Sequence, residues 1–126
     1  MSNKILYKDE CYQIIGACFE VYNEKGNGFL EAVYQECLSK ELEYQNISYT
    51  EKPKIELYYK QEKLNQCYQP DFLIYKKIIV ELKTVRNLID EHRAQVFNYL
   101  KSTKLRLGLI VNFGKYPKLE HERIVL

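Results

Sequence analysis

The chain has 126 residues and a mass of 15.1 kDa, a length that fits one domain with one core. Hydrophobic residues make up 46% of the sequence and charged residues 29%, which excludes a disordered, low-complexity chain. The formal net charge of +2 is too small to indicate a polyanionic partner by itself, so a nucleic-acid partner has to be argued from local residues.

The first half of the chain has the apolar spacing of two helices. The first ends in a turn at 23–28 that contains two glycines, and the second ends near Gln45 and Asn46. Their apolar stripes are Cys11, Ile14, Ile15, Cys18 and Val21 or Tyr22 in the first helix, and Leu30, Val33, Tyr34, Cys37, Leu38 and Leu42 in the second. We expect the two helices to pack against each other.

After Pro53 the composition changes to β-branched and aromatic residues, which favour strands. The segments IELYY (55–59), CYQPDFLIY (67–75) and IIVELKTV (78–85) predict three successive strands and therefore a meander. Helical spacing returns from Asp90 to about Ser102, with acidic residues near its start. Its apolar side is predicted to carry Ile89, Val96, Phe97 and Leu100.

The last part of the chain predicts one buried strand, LRLGLIVNF (105–113). The segment RIVL at its end is compatible with one more short edge strand, and the pattern does not decide this. The predicted order is thus α-α-β-β-β-α-β, with or without a final β-strand. This order predicts an α/β fold in which helices flank a mixed β-sheet, made of a three-stranded meander plus a returning strand. We expect residues 1–126 to form a single domain.

The cellular setting predicted from the sequence is the cytoplasm, without a membrane segment. The first residues, MSNKILYKDE, lack the apolar stretch of a secretory signal, and no apolar run approaches the roughly 18 residues that span a bilayer. The four cysteines, Cys11, Cys18, Cys37 and Cys67, form no C-x-x-C pair, so their spacing predicts reduced thiols and neither a zinc site nor a metal cluster.

The segment PDFLIYKKIIVELK places charged residues inside two otherwise apolar strands, where charge is costly without a partner or a metal. If residues 75–77 form a three-residue hairpin loop, Asp71 lies opposite Glu81. One face of the hairpin then carries Asp71, Glu81 and Lys83. The opposite face is entirely apolar and carries Phe72, Ile74, Ile78, Val80 and Leu82.

Two neighbouring carboxylates repel each other, and a hard divalent cation such as Mg²⁺ relieves that repulsion. A lysine on the same strand face can orient or help to deprotonate a water molecule, a combination that suits phosphodiester hydrolysis. The alternative is a surface ion pair between Glu81 and Lys83, with Asp71 capping a turn. Residue spacing alone leaves both interpretations open.

Four motifs together resemble a known family. Pro70 and Asp71, followed by Glu81, Leu82 and Lys83, are similar to the motif of the PD-(D/E)XK nuclease superfamily. The segment GFLEAVY, from Gly28 to Tyr34, resembles the G-x-x-E-x-x-Y signature of a small bacterial and archaeal family within it. The remaining matches are H-x-x-Q-x-x-x-Y at His92, Gln95 and Tyr99, and GLIVNF at 108–113.

The resemblance implies a restriction-endonuclease-like core and assigns roles to individual residues. Asp71, Glu81 and the Leu82 carbonyl would bind the metal, Mg²⁺ or Mn²⁺, and Lys83 would be the catalytic lysine. Glu31 takes the place of an additional acidic metal ligand, and a solvated helix glutamate is the alternative for it. The grouped cysteines of iron-sulfur members are missing from the sequence, so no cluster is expected.

Gln95 and Tyr99 resemble the Q-x-x-x-Y element that lies beside the active site of RecB-like nucleases. The alternative is structural, with Tyr99 as a core aromatic residue and Gln95 as a buried hydrogen-bonding residue. The resemblance implies a metal-dependent nuclease, with DNA favoured over RNA as its substrate. A non-catalytic nucleic-acid-binding or assembly module that keeps the nuclease fold is the alternative. The small size also suggests a homodimer or a subunit of a larger complex.

Overall fold

The computed structural model describes residues 5–126, so the prediction about a signal segment falls partly outside the described residues. The described chain contains three helices and seven strands. The helices are α1 (Lys8–Lys25), α2 (Glu31–Tyr44) and α3 (Asp90–Thr103). The strands are β1 (Tyr49–Glu51), β2 (Ile55–Tyr59), β3 (Glu62–Tyr68), β4 (Phe72–Ile74), β5 (Ile78–Lys83), β6 (Leu107–Asn112) and β7 (Glu120–Val125).

Five strands form a mixed sheet in the order β1-β4-β5-β6-β7. Only β5 and β6 are parallel, and α3 is the crossover that parallel neighbours require. The other neighbours in this sheet are antiparallel. The mixed α/β fold class predicted from the sequence is therefore confirmed, including the returning strand and the short edge strand at the end.

The predicted meander differs in its first strand. β1, which the sequence pattern did not reveal, pairs with β4 and completes an antiparallel unit with β5. The segment 55–59 instead pairs with β3 in a separate two-stranded sheet inserted between β1 and β4. The predicted strand at 67–75 is interrupted near Pro70, whose ring nitrogen cannot donate to a ladder, so its two ends belong to different sheets.

The two faces of the main sheet are covered by different helices. The apolar face predicted for the β4–β5 hairpin is fully buried in one cluster with residues of α1 and α2. Its members from the hairpin are Phe72, Ile74, Ile78, Val80 and Leu82, each 0% exposed. The other face packs against α3 through two smaller clusters that include Ile79, Tyr99 and Leu100 in one and Val96 and Ile110 in the other.

The buried stripe of α3 differs from the prediction. Val96, Tyr99 and Leu100 are buried, whereas Ile89 and Phe97 are 48% and 38% exposed. Positions three and four apart share one helix face, which places Phe97 off the stripe that starts at Val96. In the second helix, Leu30 is likewise 77% exposed because it precedes the first helical residue.

None of the helices in residues 5–126 is long and apolar enough to cross a membrane. All four cysteines lie in this part of the chain and are free thiols, with Cys11 and Cys18 buried.

Candidate functional site

The β4–β5 hairpin has the register predicted from its sequence. Phe72 lies opposite Val80 and Ile74 lies opposite Ile78, which leaves residues 75–77 as the loop. Continuing this register by one residue brings Asp71 beside Glu81, and the Asp71 amide donates a hydrogen bond to Glu81 Oε1 at 3.1 Å. The hairpin therefore juxtaposes the two acidic residues.

Asp71 is held from three directions. Its Oδ2 accepts a hydrogen bond from the Leu82 amide at 2.7 Å. Its carbonyl oxygen accepts from the Lys52 amide at 2.9 Å and from Gln35 Nε2 at 3.1 Å. Asp71 thus links β5 to the end of β1 and to α2, although it lies just outside a regular strand.

Burial raises the pKa of the Asp71 carboxyl, an effect opposed by the Leu82 amide and by the positive charges of Lys83 and Lys52. Burial also raises the pKa of Glu81, from 4.5 to about 7, and the negative charge of Asp71 adds to this rise. Glu81 is only 6% exposed, so the interpretation of Glu81 and Lys83 as a surface ion pair does not fit. The two buried carboxyls therefore lie close together, and the positive charges of Lys83 and, at Asp71, of Lys52 do not cancel the effect of burial on their pKa.

The Lys83 ammonium group lies between the acidic pair and α3. Its Nζ is 3.6 Å from Glu81 Oε2 and donates a hydrogen bond to Gln95 Oε1 at 2.9 Å. Tyr99 lies one turn further along α3 and is 3% exposed, with its ring edge-on to Tyr68 at a centroid distance of 5.0 Å. Burial raises the pKa of Tyr99, and the charges of Glu81 and Asp71 raise it further.

His92 has a local role at the start of α3. Its Nδ1 accepts a hydrogen bond from the Ile89 amide at 3.1 Å and so caps one of the donors at that helix end. The structure therefore places Gln95 against Lys83, Tyr99 near the acidic pair, and His92 at the helix cap.

Glu31 is the first residue of α2 and is exposed. Partial desolvation of its carboxyl and the negative charge of Asp71 raise its pKa, while Lys83 and Lys52 lower it. These mutual effects place Glu31 within electrostatic reach of the other site residues. The helix therefore brings a third carboxylate to the edge of the buried pair.

Within residues 5–126, no three acidic, histidine or cysteine side chains stand close enough together to hold a metal ion in the present arrangement. The chemistry of the donors nevertheless fits a hard divalent cation, because such ions prefer carboxylate and carbonyl oxygens. Burial raises the pKa of the Asp71, Glu81 and Glu31 carboxyls, and a cation beside them would oppose that rise by favouring their charged forms.

Gln35 and Lys52 belong to this site but were not singled out from the sequence. Gln35 is 8% exposed, and its Nε2 also donates to Glu51 Oε2 at 3.2 Å. A polar residue four positions after Glu31, beside a buried helix stripe, was the available signal. Lys52 offered no sequence signal, because only the pairing of β1 with β4 brings it opposite Asp71.

A model of the PD-(D/E)XK nuclease superfamily matches residues 8–124, nearly the whole chain. The chain belongs to this superfamily. The crystal structure of SSO0001 is similar in fold, with a TM-score of 0.61 at 18% identity, and the match covers 75% of this chain. It spans only 48% of the SSO0001 chain, about half of that protein's length. No curated protein matches.

Family membership and structural similarity together confirm the restriction-endonuclease-like fold. Membership also indicates a nuclease-type domain as the class to which the chain belongs.

Proposed function

We propose that this protein is a metal-dependent nuclease that hydrolyses phosphodiester bonds, in DNA in preference to RNA, with Asp71, Glu81 and Lys83 at its centre. The observation that carries the proposal is the buried Glu81, which lies beside Asp71 and 3.6 Å from the Lys83 ammonium nitrogen. Buried charge of this density is costly in a domain that uses it only for folding.

The proposed ligands of Mg²⁺ or Mn²⁺ are the carboxylates of Asp71, Glu81 and Glu31 and the carbonyl oxygen of Leu82. The Leu82 amide already points to Asp71, and the amide and carbonyl of one strand residue face the same neighbour. A bound divalent ion supplies positive charge that stabilises negative charge developing on a scissile phosphate.

Lys83 would contact the scissile phosphate or the attacking water. Gln95 Oε1 accepts a hydrogen bond from its Nζ and so fixes the direction of the ammonium group. Tyr99 is buried edge-on against Tyr68 and would limit the access of water to the buried carboxylates. We thus propose that Gln95 and Tyr99 are part of the catalytic site. Gln95 orients Lys83, and Tyr99 shields the carboxylates.

We also propose that the chain belongs to the GxxExxY family within the superfamily. The Tyr34 hydroxyl donates to the Gly26 carbonyl and accepts from the Phe29 amide at 3.2 Å, and its ring stacks on Phe113 at 4.6 Å. Gly28 has a φ of 106°, which few other residues tolerate. The glycine and tyrosine of the signature therefore shape the loop that delivers its glutamate, Glu31, to the site.

We further propose a cytoplasmic location, a single nuclease domain and a role in an assembly. The free thiols suit a reducing compartment such as the cytoplasm. The extent of the family match, 8–124, supports one nuclease domain over the 126 residues. A homodimer or a subunit role in a larger complex is proposed on the small size of the chain alone.

The test compares Lys83→Ala and Asp71→Ala in two assays, cleavage of labelled DNA and RNA with Mg²⁺ or Mn²⁺ and calorimetric metal titration. Lys83→Ala should keep metal affinity but lose about 10²- to 10⁴-fold in cleavage rate, as loss of an acid-base or electrostatic group does. Asp71→Ala should lose both. Lys101→Ala, at the exposed end of α3, is the control that should behave as wild type.

If the wild-type protein binds nucleic acid but cleaves none of the substrates, and Lys83→Ala is indistinguishable from it, the nuclease proposal fails. The non-catalytic binding or assembly module would then be the better description.

A further inference from the structure

A groove of about 650 Å³ opens next to the candidate centre. Three loops form it, at 27–30 before α2, at 84–86 after β5 and at 114–116 after β6. The first loop leads directly into Glu31 and the second directly follows Lys83. The groove therefore begins where the proposed metal ligands and the catalytic lysine lie.

The charge of this groove is entirely positive. Arg86 and Lys115 line it, and no acidic residue of the described chain does. A second groove, which Glu31 and Asp71 themselves line, has the opposite character, since three further carboxylates and two lysines line it. A polyanion at the centre is thus attracted towards Arg86 and Lys115 and repelled by the three further carboxylates of the second groove.

The floor of the groove is rigidly built. The Asn112 side chain is 0% exposed, and its Oδ1 accepts hydrogen bonds from the Val85 amide at 3.0 Å and the Gly114 amide at 2.9 Å. A Cβ atom at Gly114 would lie 2.6 Å from backbone atoms of Thr84 and Val85. One buried amide therefore joins two of the three loops, and a glycine lets their backbones touch.

Aromatic side chains stand at the rim, beside the cations. Tyr116 is 74% exposed and Phe29 is 43% exposed. The Lys25 ammonium group lies 4.7 Å from the centroid of the Phe29 ring and adds a further positive charge at this edge. Exposed rings next to lysine and arginine are the features with which proteins bind unpaired bases and their backbone.

We propose that this groove binds a single strand of nucleic acid, with its phosphates on Arg86 and Lys115 and its bases against Tyr116 and Phe29. The inference deepens the proposed nuclease function, on which it rests, by assigning the path of the strand that leaves the catalytic centre. The Lys115 Nζ donates a hydrogen bond to Asn87 Oδ1 at 2.6 Å, in the segment that follows Arg86.

The test is fluorescence anisotropy with a labelled oligo-dT strand and with a DNA duplex, in EDTA so that no cleavage occurs. The double variant Arg86→Ala/Lys115→Ala should bind the single strand roughly tenfold more weakly. Its slope of log affinity against log salt should be shallower by about 1.4, because each contact to a single-strand phosphate contributes about 0.7.

The matched control is Lys101→Ala/Arg106→Ala, which removes the same charge from exposed positions at the opposite end of β6. Single-strand affinity should change little in this variant. Tyr116→Ala should weaken single-strand binding while Tyr116→Phe keeps it, since stacking requires the ring and not the hydroxyl.

Equal weakening by the two double variants, or no weakening by the groove variant, would overturn the proposal. A loss confined to the duplex would overturn it as well. Because binding is measured without metal, the outcome is independent of cleavage. A groove confirmed in a protein that cleaves nothing would leave the strand path standing and refute only the nuclease proposal.

Discussion

Gln35 Nε2 lies 3.1 Å from the Asp71 carbonyl oxygen and 3.2 Å from Glu51 Oε2, so a single side-chain amide connects α2 with β1 and with the start of β4. Ser39 Oγ, one helical turn further on, donates to the other oxygen of Glu51 at 2.6 Å. The position of Asp71 relative to Glu31, which lies on the same helix as Gln35, therefore depends on this network.

Replacing Gln35 by Ala should lower the free energy of unfolding by about 1 kcal/mol, the usual net contribution of such hydrogen bonds. Its affinity for Mg²⁺ or Mn²⁺ should also fall, because Asp71 moves relative to Glu31. Denaturant unfolding and metal titration measure the two effects. Gln45→Ala is the control, because Gln45 is exposed and its side chain bonds only to the neighbouring Glu41 carboxylate. Unchanged metal affinity in Gln35→Ala would exclude a positioning role.

The pH dependence of stability should reveal the raised pKa of Glu81. A carboxyl whose pKa rises from 4.5 to about 7 on folding stabilises the protein below pH 4.5, and this stabilisation is lost as the pH rises through 7. In EDTA at pH 8, Glu81→Gln should therefore be more stable than wild type, by about 1 to 3 kcal/mol.

The same two proteins compared at pH 5 should differ much less in stability. Adding Mg²⁺ at pH 8 should stabilise the wild type and leave Glu81→Gln nearly unaffected, since bound ligand stabilises only the state that binds it. If wild type and Glu81→Gln differ in unfolding free energy by the same amount at pH 5 and pH 8, the pKa of Glu81 is not raised.

Glu31→Gln should leave the fold intact, because Glu31 is exposed at the start of α2. Its affinity for Mn²⁺ in calorimetry should fall roughly tenfold, the scale on which loss of a supporting group weakens metal sites. Glu36→Gln on the same helix removes an equal charge at an exposed position and serves as the control. If both variants bind Mn²⁺ as wild type does, Glu31 is a solvated helix residue.

Two glycine substitutions should have opposite effects on stability. Gly114→Ala places its Cβ 2.6 Å from backbone atoms and should cost about 1 to 3 kcal/mol, as overpacking does. Gly16→Ala lies within α1 with no atom near its Cβ and should stabilise by about 0.5 to 1 kcal/mol. Thermal or denaturant unfolding of the pair checks both signs, and a neutral Gly114→Ala would mean that the groove floor is pliable.

The sequence by itself determined the hairpin that carries Asp71 and Glu81. Alternation of apolar and charged residues admits one register, because a shift by one residue would turn Phe72 and Val80 away from the core. The same local signals predicted the helix at Asp90 and the buried strand that returns beside β5. Each of these depends on interactions between residues that are close in sequence or on one repeating pattern.

Only the tertiary structure decided which strand lies beside β4. β1 has three residues, too few to show alternation, and the more strand-like segment at 55–59 pairs elsewhere. Tertiary packing likewise brought Gln35 to Asp71 and joined the loops of Arg86 and Lys115 through Asn112. These contacts connect residues far apart in the chain, and their formation depends on how the completed layers of the fold pack together.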